Sequence, residues 1–552
     1  MSGTAPRRRR SAIPARHRRL SAILAIVTTL GLAATACSQP AGTSPASDSS
    51  GSGGGSGKVQ SGGTMTVGLA EAPDALDPTV AATYVGRIVF ANMCEKLYDV
   101  GPNTQIVPQL AASMPQVSND GKTYTIKLRQ GVQFNDGTSF NADAVKTTLE
   151  HYLTDPKSAR ASELAMVKSV DAVNPSTVQI QLKEPYAPLT AILADRSGMI
   201  LSPKQLSKLG DNFSRDPVCV GPFAFKDRPS SDQIDLVKSK YYYDKDQVHL
   251  DGVKFIVVTQ PNVRAANLRS GDIDVADRLA PPDVSTLKSD SSVKVWPVTS
   301  LGYQGISINV SNTGGAGHPG SKLADNPLAQ HPELREAFAL SLDRNIINKV
   351  VYAGQYVPGC TPISPVSPYA PDISCPGPDL AKAKQLVAQS GVQTPINVNL
   401  IVQAADAESA KLGTVIQSMA KKAGFAVHVQ PTEFTTALDQ SAQGKFQTFQ
   451  VGWSGRLDPD ANIAPFWDPA STLNYTGAAY PDVQKLLTQE RTTTDQAQRK
   501  QIFTKLCQAF LQHNNIIYLY YPKMVMGYSS SVTGIQYYAD GLIRLKTAAF
   551  TG

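Results

Sequence analysis

Hydrophobic and polar positions in the first third of the chain follow two different periods. In residues 124–129 an apolar side chain alternates with a polar one, which is the pattern of a half-buried β-strand. The Asn-Asp-Gly turns at 119–121 and 135–137 bracket this stretch. Asn141 predicts a helix N-cap, and the apolar residues from there to Tyr152 recur at i, i+4 and i+7. Together they predict a strand meander that leads into a helix packed on a core.

Strands and helices alternate along the rest of the chain. Strands are predicted at 63–69, 176–182, 254–259, 271–275, 303–310, 396–402, 425–429, 446–453 and 516–521. The strand at 516–521 is predicted to be the final strand of the chain. Helices are predicted at 85–98, 262–270, 334–344, 379–390, 406–423, 434–443 and 499–512. The strand-helix-strand unit at 254–275 and the βαβαβ order at 396–453 indicate an α/β protein. With 552 residues the chain is too long for one core, so two or three domains are expected.

The N-terminal segment carries the whole excess of positive charge. Seven arginines and no acidic residue precede Cys37, and removing their charge from the formal net charge of +7 leaves a neutral chain. A neutral chain lacks the electrostatic footprint of a nucleic-acid-binding protein.

The same segment predicts export. Its apolar run, 20–32, is too short to span a bilayer comfortably, and Ala-Thr-Ala-Cys at 34–37 is similar to a lipoprotein signal. We therefore predict a signal peptide at 1–36 and a lipid on Cys37, while Arg18-Arg19 leaves a twin-arginine signal as the alternative. Ser, Gly and Pro dominate the residues that follow Cys37, so they predict a flexible tether with a root-mean-square span of roughly 25 Å.

The cysteines of an exported chain can form disulfides. Cys360 and Cys375 bracket a proline-rich loop with no regular structure of its own, and we predict that they pair. Cys94, Cys219 and Cys507 remain, so at least one stays free and the pairing of the other two is open.

Motifs of catalysis are missing from the sequence. It contains no G-x-S-x-G elbow, phosphate-binding P-loop or H-E-x-x-H, and its seven histidines are scattered. The S-x-x-K matches at 285–288 and 418–421 lie in helix-like sequence without a K-T-G partner. We therefore predict that the protein is not an enzyme and that it holds neither a metal ion nor a cofactor.

The candidate site follows the strand that ends at Trp453, because ligands of open α/β sheets bind beyond the carboxyl ends of strands. Trp453 offers an apolar wall, and Arg456 and Asp458 offer opposite charges. The alternative is that Trp453 belongs to the core and Asp458 begins a turn. Tyr84 and Tyr303 are further candidates for the cleft, with a buried core tyrosine as the alternative for each.

The sequence from 118 to 145, S-N-D-G-K-T-Y-T-I-K-L-R-Q-G-V-Q-F-N-D-G-T-S-F-N-A-D-A-V, resembles the signature block of family 5 solute-binding proteins. These are the peptide- and nickel-binding lipoproteins of ABC importers. C-V-G-P-F at 219–223 and L-R-S-G-D-I-D-V at 268–275 are also similar to the family, and the resemblance extends from about residue 63 to the end. It implies a two-lobed, periplasmic-binding-protein-like α/β fold (type II, with an extra subdomain) and mixed sheets flanked by helices.

The resemblance also implies a division into domains. After the signal peptide (1–36) and the lipidated linker (37–62), lobe I takes 63–95, 215–310 and 525–552, the extra subdomain takes 96–214, and lobe II takes 311–524.

The implied function is solute capture. The protein would sit as a monomer at the outer face of the cell membrane, bind oligopeptides or dipeptides, and deliver them to ABC permease subunits. Peptide-binding members carry an Asp near the place of Arg456, where it pairs with the peptide ammonium. This anchor is therefore either moved to Asp458 or missing, and a missing anchor would fit an acidic, N-blocked or non-peptide solute. The alternatives are a binding protein for a sugar, an opine or a nickel chelate, an exported hydrolase, and a cell-envelope regulator without a solute.

Overall fold

The computed structural model describes residues 58–318, 322–404 and 406–552. The predicted signal peptide, Cys37 and the tether up to residue 57 lie outside these residues, so lipidation stays a prediction. Among the helices of the described ranges, none combines the length and the apolar character that crossing a membrane requires.

The strands divide among several sheets. In chain order they are β1 (Val59–Gln60), β2 (Thr64–Leu69), β3 (Tyr98–Val100), β4 (Ile106–Pro108), β5 (Gln116–Val117), β6 (Thr123–Lys127), β7 (Val167–Asn174), β8 (Thr177–Leu182), β9 (Phe223–Ser230), β10 (Gln233–Lys238), β11 (Gly252–Val257), β12 (Val275–Ala276), β13 (Val293–Thr299), β14 (Tyr303–Ile308), β15 (Val357–Pro358), β16 (Ile396–Gln403), β17 (Phe425–Thr432), β18 (Thr448–Trp453), β19 (Ile516–Tyr521), β20 (Lys523–Ser529), β21 (Val532–Thr533), β22 (Gln536–Tyr537), β23 (Ile543–Arg544) and β24 (Ala549–Thr551).

The helices lie between and around these strands. In chain order they are α1 (Tyr84–Met93), α2 (Ala142–Thr154), α3 (Leu189–Ile192), α4 (Pro203–Leu209), α5 (Pro261–Ser270), α6 (Pro281–Lys288), α7 (Pro327–Gln330), α8 (Pro332–Leu340), α9 (Arg344–Tyr352), α10 (Leu380–Gln389), α11 (Ala407–Lys421), α12 (Phe434–Ala442), α13 (Asp460–Trp467), α14 (Pro481–Thr492) and α15 (Gln496–His513). Short 3₁₀ turns occur at Arg196–Gly198, Gly210–Arg215 and Lys245–Gln247.

Lobe I is built on a seven-stranded sheet of order β13-β20-β12-β2-β11-β10-β9. β11 and β12 both run parallel to β2, which lies between them, and α5 makes the crossover. The strand-helix-strand prediction is therefore confirmed, with one strand inserted. Met65, Val67 and Leu69 of β2 are fully buried, as expected of a central strand covered on its core face.

Lobe II is built on a six-stranded sheet of order β15-β19-β14-β18-β16-β17. β17 and β18 run parallel to β16, with α11 and α12 as crossovers, so the βαβαβ prediction is confirmed. β14 was predicted as part of lobe I. This prediction is wrong, because β14 pairs with β18 and β19 in the second sheet. β19 is also not the last strand, since β20 follows it and pairs in the first sheet.

The extra subdomain carries a four-stranded sheet of order β5-β6-β8-β7, against which α2 packs. The side chain of Asn141 accepts a hydrogen bond from the backbone N–H of Ala144 at 3.0 Å, which confirms the predicted N-cap. Val145, Leu149 and Tyr152 are buried in a core that continues into lobe I. The subdomain is therefore packed as part of lobe I.

Two neighbouring chain segments connect the sheets, one between β13 and β14 and one between β19 and β20. The backbone N–H of Ser300 in the first donates to the carbonyl of Pro522 in the second at 3.0 Å. The flexible linker was predicted to extend to residue 62. The folded part begins earlier, because Val59 and Gln60 form β1 and pair with β24.

Disulfides tie two loops. The predicted bond between Cys360 and Cys375 is confirmed, with their Cα atoms 5.6 Å apart. Cys94 pairs with Cys219, and Cys507 is buried and free. The helix predicted at 85–98 ends at Met93, directly before this second bridge.

Candidate functional site

A cavity of about 630 Å³ lies between the subdomain and lobe II. Residues between 162 and 195 line one side of it, and residues between 456 and 491 line the other. Its volume falls in the range of about 300–1,000 Å³ that is typical of small-molecule sites. The cavity begins just past the carboxyl end of β18, where the candidate site was predicted.

The turn after β18 is held rigidly. Gly455 has a φ of +84°, and a Cβ there would come within 2.4 Å of the backbone at Gly302, so the turn requires glycine. Asn462 of α13 binds the backbone of Arg456 with two hydrogen bonds. Its Oδ1 accepts from the N–H of Arg456 at 2.6 Å, and its Nδ2 donates to the carbonyl of Arg456 at 2.9 Å. These bonds fix the backbone from which the Arg456 side chain projects.

The guanidinium of Arg456 contributes to the cavity wall. It donates to the Ser454 hydroxyl at 3.1 Å and the Gly455 carbonyl at 2.8 Å, and it lies 4.6 Å from the centre of the Trp453 ring. None of the described carboxylates lies within ion-pair distance of it. Burial lowers the pKa of Arg456, and the charge of Arg87 lowers it further. A guanidinium in this position gains most from an anionic partner.

Three further arginines lie near Arg456, and two of them are paired with acids. Arg87 pairs with Asp195 at 3.0 Å, and Arg160 pairs with Glu163 at 2.8 Å. Arg196 is buried nearby, and burial lowers its pKa to about 10. Burial by itself would raise the pKa of Asp195, but Arg87 and Arg196 hold it well below the usual range. The cavity wall itself carries more acids than arginines, but each of these acids is paired with an arginine. Arg456 has no such partner among the described residues, so it is the guanidinium that an anionic ligand can reach.

Asp458 has a different role from the one predicted. It is 5% exposed, and Arg499 binds it with two parallel hydrogen bonds of 2.7 and 2.9 Å. It also accepts from the N–H of Asp460 at 3.0 Å. Its charge is therefore paired inside the protein, which does not fit the predicted role of Asp458 as an anchor for a ligand ammonium. It does begin a turn, as the alternative interpretation held.

The aromatic candidates lie outside the cavity wall. Tyr303 is 3% exposed and packs edge-on against Tyr518 at 4.9 Å, as the core alternative predicts. Trp453 is half-buried and packs edge-on against Phe466 at 5.1 Å. Tyr84 donates its hydroxyl to the carbonyl of Gly541 at 2.5 Å. Of the predicted residues, the structure brings together Arg456 and Asp458 in the wall, with Trp453 behind Arg456.

Several wall residues were not found from the sequence. Asp460 pairs with Arg491 at 2.8 Å and receives the Tyr186 hydroxyl at 3.4 Å from the subdomain. Asp460 could have been noticed as the second acid of the Asp-Pro-Asp sequence. Tyr186 and Asp195 carry no local signal, since only the tertiary fold brings their segment to lobe II.

Comparisons with known proteins agree with this architecture. The family model described as "Bacterial extracellular solute-binding proteins, family 5 Middle" matches residues 105–474. The glutathione-binding protein GsiB of Escherichia coli (strain K12) is 27% identical over 478 residues, which cover 83% of this chain and 89% of that protein.

Solved structures give the same fold. The substrate-binding protein CtaP of Listeria monocytogenes superposes with a TM-score of 0.80 at 21% identity, covering 89% of this chain and all of that one. DppA of Helicobacter pylori, in complex with the peptide STSA, gives 0.73 at 23% identity, covering 89% of this chain and 99% of that one. The fold is thus that of the two-lobed periplasmic binding proteins. Because the family model matches more than half of its length, the chain belongs to family 5 of the extracellular solute-binding proteins of ABC importers.

Proposed function

We propose that this protein captures a short peptide or peptide-like solute through a free carboxylate and delivers it to an ABC permease. The observation that carries the proposal is the guanidinium of Arg456, which reaches the cavity between subdomain and lobe II without an acidic partner among the described residues. A carboxylate can form two parallel hydrogen bonds with a guanidinium, and such bonds are strong where water is excluded.

The site differs from one that anchors an ammonium. The nearest carboxylates of the turn, Asp458 and Asp460, are each paired with an arginine. A free amine would therefore find no unpaired acid there, whereas a carboxylate finds Arg456. The names of relatives support a peptide-like solute, since they include a glutathione-binding protein and a complex with the peptide STSA. No catalytic step belongs to this proposal, because binding and release suffice for delivery.

The proposal includes anchoring at the outer face of the cell membrane through a lipid on Cys37. A Cys37→Ala variant is then expected in the soluble extracytoplasmic fraction, whereas the unchanged protein stays with the membranes. If both proteins fractionate in the same way, the proposed lipid anchor on Cys37 is contradicted.

Calorimetric titration with glutathione and with short peptides, each as the free acid and as the carboxyl amide, tests the anchor. The free acids are expected to bind and the amides to bind much more weakly. Arg456→Gln should weaken binding of the free acid by about 2–4 kcal/mol, because it removes one partner of a desolvated charge pair, and should leave the amide unaffected. Arg269→Gln is the matched control, since Arg269 pairs with Asp290 on an exposed surface of lobe I.

The alternative solutes are outcomes of the same titration. Tight binding of a neutral sugar, with Arg456→Gln unaffected, would contradict the proposal. An opine acid or a nickel chelate that binds through Arg456 while every peptide fails would keep the anchor and replace the solute class.

A further inference from the structure

A second, smaller cavity of about 230 Å³ lies in lobe II at the carboxyl ends of β16 and β18. Gln403 and Gly452, at the ends of these strands, contribute to its wall, and so does Pro522 in the segment that leads to lobe I. Next to its wall residue Tyr356, the Gln355 side chain donates to the carbonyl of Pro281 in lobe I at 2.8 Å. This pocket therefore belongs to the face of lobe II that meets lobe I.

One wall of the pocket is aromatic. The ring of Tyr356 stacks on Tyr352 at 4.5 Å and on Tyr520 at 5.4 Å. The hydroxyls of Tyr352 and Tyr520 hydrogen-bond each other at 2.6 Å. Stacked electron-rich rings attract a cation placed over their faces.

The pocket wall also carries two acids, Asp406 and Glu408. Asp406 is engaged as the N-cap of α11, where it accepts from the backbone of Glu408 and Ser409. Glu408 is half-buried and forms no ion pair with any described residue. Burial raises the pKa of Glu408, and the nearby charge of Asp406 raises it further, whereas the charge of Lys411 on the same helix lowers it. Both carboxylates also add to the effect of burial in raising the pKa of Tyr356, so they lie close to the aromatic wall.

We propose that this pocket receives the cationic side chain of the solute, a guanidinium or ammonium group, while Arg456 holds its carboxylate. The inference rests on the proposed function and narrows its substrate class to short peptides that contain Arg or Lys. None of the described residues that line the pocket is cationic, so the charge of Glu408 has no counterion in its wall. The volume is below the range of about 300–1,000 Å³ for whole ligands, which fits one side chain.

The spacing of the two cavities suits a short peptide. Gly452 lines the small pocket and Arg456 lines the large cavity, and they are four residues apart. At 3.8 Å per step their Cα atoms are separated by at most about 15 Å. A separation up to this limit is within reach of an extended dipeptide or tripeptide with a long side chain.

Tripeptides with a single arginine test the pocket. Arg-Ala-Ala, Ala-Arg-Ala and Ala-Ala-Arg are each compared by calorimetry with the counterpart that carries citrulline, which has the shape of arginine without its charge. In at least one position the arginine peptide should bind about tenfold tighter than its citrulline counterpart. This ratio should fall to near one in Glu408→Gln and stay unchanged in Glu336→Gln, an exposed acid that pairs with Lys382 on the outside of lobe II.

The outcomes separate this inference from the proposed function. If peptides bind through Arg456 but arginine and citrulline bind equally in every position, the pocket is overturned and the carboxylate anchor stands. If no tripeptide binds, the peptide proposal fails, and agmatine then tests the pocket alone. Stabilisation by agmatine that Glu408→Gln abolishes would keep the pocket, and an unchanged melting curve would overturn it.

Discussion

Two charged residues in one turn show how ion pairing decides the role of a charge. Arg456 and Asp458 are two positions apart, and both reach the wall of the same cavity. Arg499, which comes from α15, neutralises Asp458 but leaves Arg456 without a partner. A charge that the protein has already paired stabilises the fold, whereas an unpaired one is available to the solute.

Asp458→Asn is therefore expected to act on stability. It leaves Arg499 with Glu490 as its remaining acidic partner, so the free energy of unfolding should fall by about 3 kcal/mol. Urea denaturation measures this loss, with the exposed Asp482→Asn as control. Solute affinity should stay unchanged where the variant is folded. A large loss of affinity with full stability would instead restore Asp458 as an anchor.

Glu95 is expected to make stability depend on pH. It is 4% exposed and accepts hydrogen bonds from the hydroxyls of Tyr242 and Tyr243. Burial raises its pKa from 4.5 to about 7, despite the two hydrogen bonds. The folded state thus favours the protonated form. This contribution is fully present below about pH 4.5 and is lost as the pH rises through about 7.

The full contribution is about 3 kcal/mol. Glu95→Gln should remove it, so that the variant gains stability relative to the unchanged protein as the pH rises from 5 to 8. Unfolding in urea at both pH values measures the difference, and a constant difference would rule out titration of Glu95 in this range.

At the scale of elements, the two disulfides close loops of very different length. The bond from the end of α1 to Cys219 spans 125 residues, and the Cys360–Cys375 bond spans 15. In the chain-entropy view, loss of the longer bridge costs about 5 kcal/mol and loss of the shorter one about 3 kcal/mol.

We therefore expect the double variant Cys94→Ser/Cys219→Ser to have a lower free energy of unfolding in urea than the double variant Cys360→Ser/Cys375→Ser. The fully reduced protein is the control, since reduction should abolish the differences due to the bridges. The reverse order under oxidising conditions would show that local packing outweighs loop length.

The elements themselves were largely predictable where the pattern was strong. β6, α2 and the β16–β18 unit follow from alternation, a cap and helical period, all of which are local. The lobe of β14 was not predictable, because its partners β18 and β19 lie far along the chain. The same holds for the site: Arg456 could be proposed from its turn, but the ion pair that engages Asp458 depends on Arg499, 41 residues away.

At the scale of the whole molecule, the lobes are joined by chain crossings and by direct contacts. The backbone N–H of Ala187 in the subdomain donates to the carbonyl of Arg491 in lobe II at 2.8 Å. Beside it, the Tyr186 hydroxyl reaches Asp460 at 3.4 Å. These two hydrogen bonds join the subdomain to lobe II beside the large cavity, so they exist only while the lobes are together. A solute that binds both sides shifts the population toward this state.

Tyr186→Ala is expected to shift the population in the opposite direction. It removes the ring from the cavity wall and the hydroxyl from Asp460, so the closed state loses contacts that an open state never had. The ligand-free variant should show a larger radius of gyration in small-angle X-ray scattering than the unchanged protein, and saturating solute should restore the smaller value. Tyr186→Phe keeps the ring and serves as the matched control, with an intermediate or unchanged radius.

The affinity of Tyr186→Ala should fall in proportion to the closed fraction that is lost, because a binding-competent state that is less populated lowers the apparent affinity by that fraction. Equal radii for all three proteins, with and without solute, would mean that these contacts do not control closure.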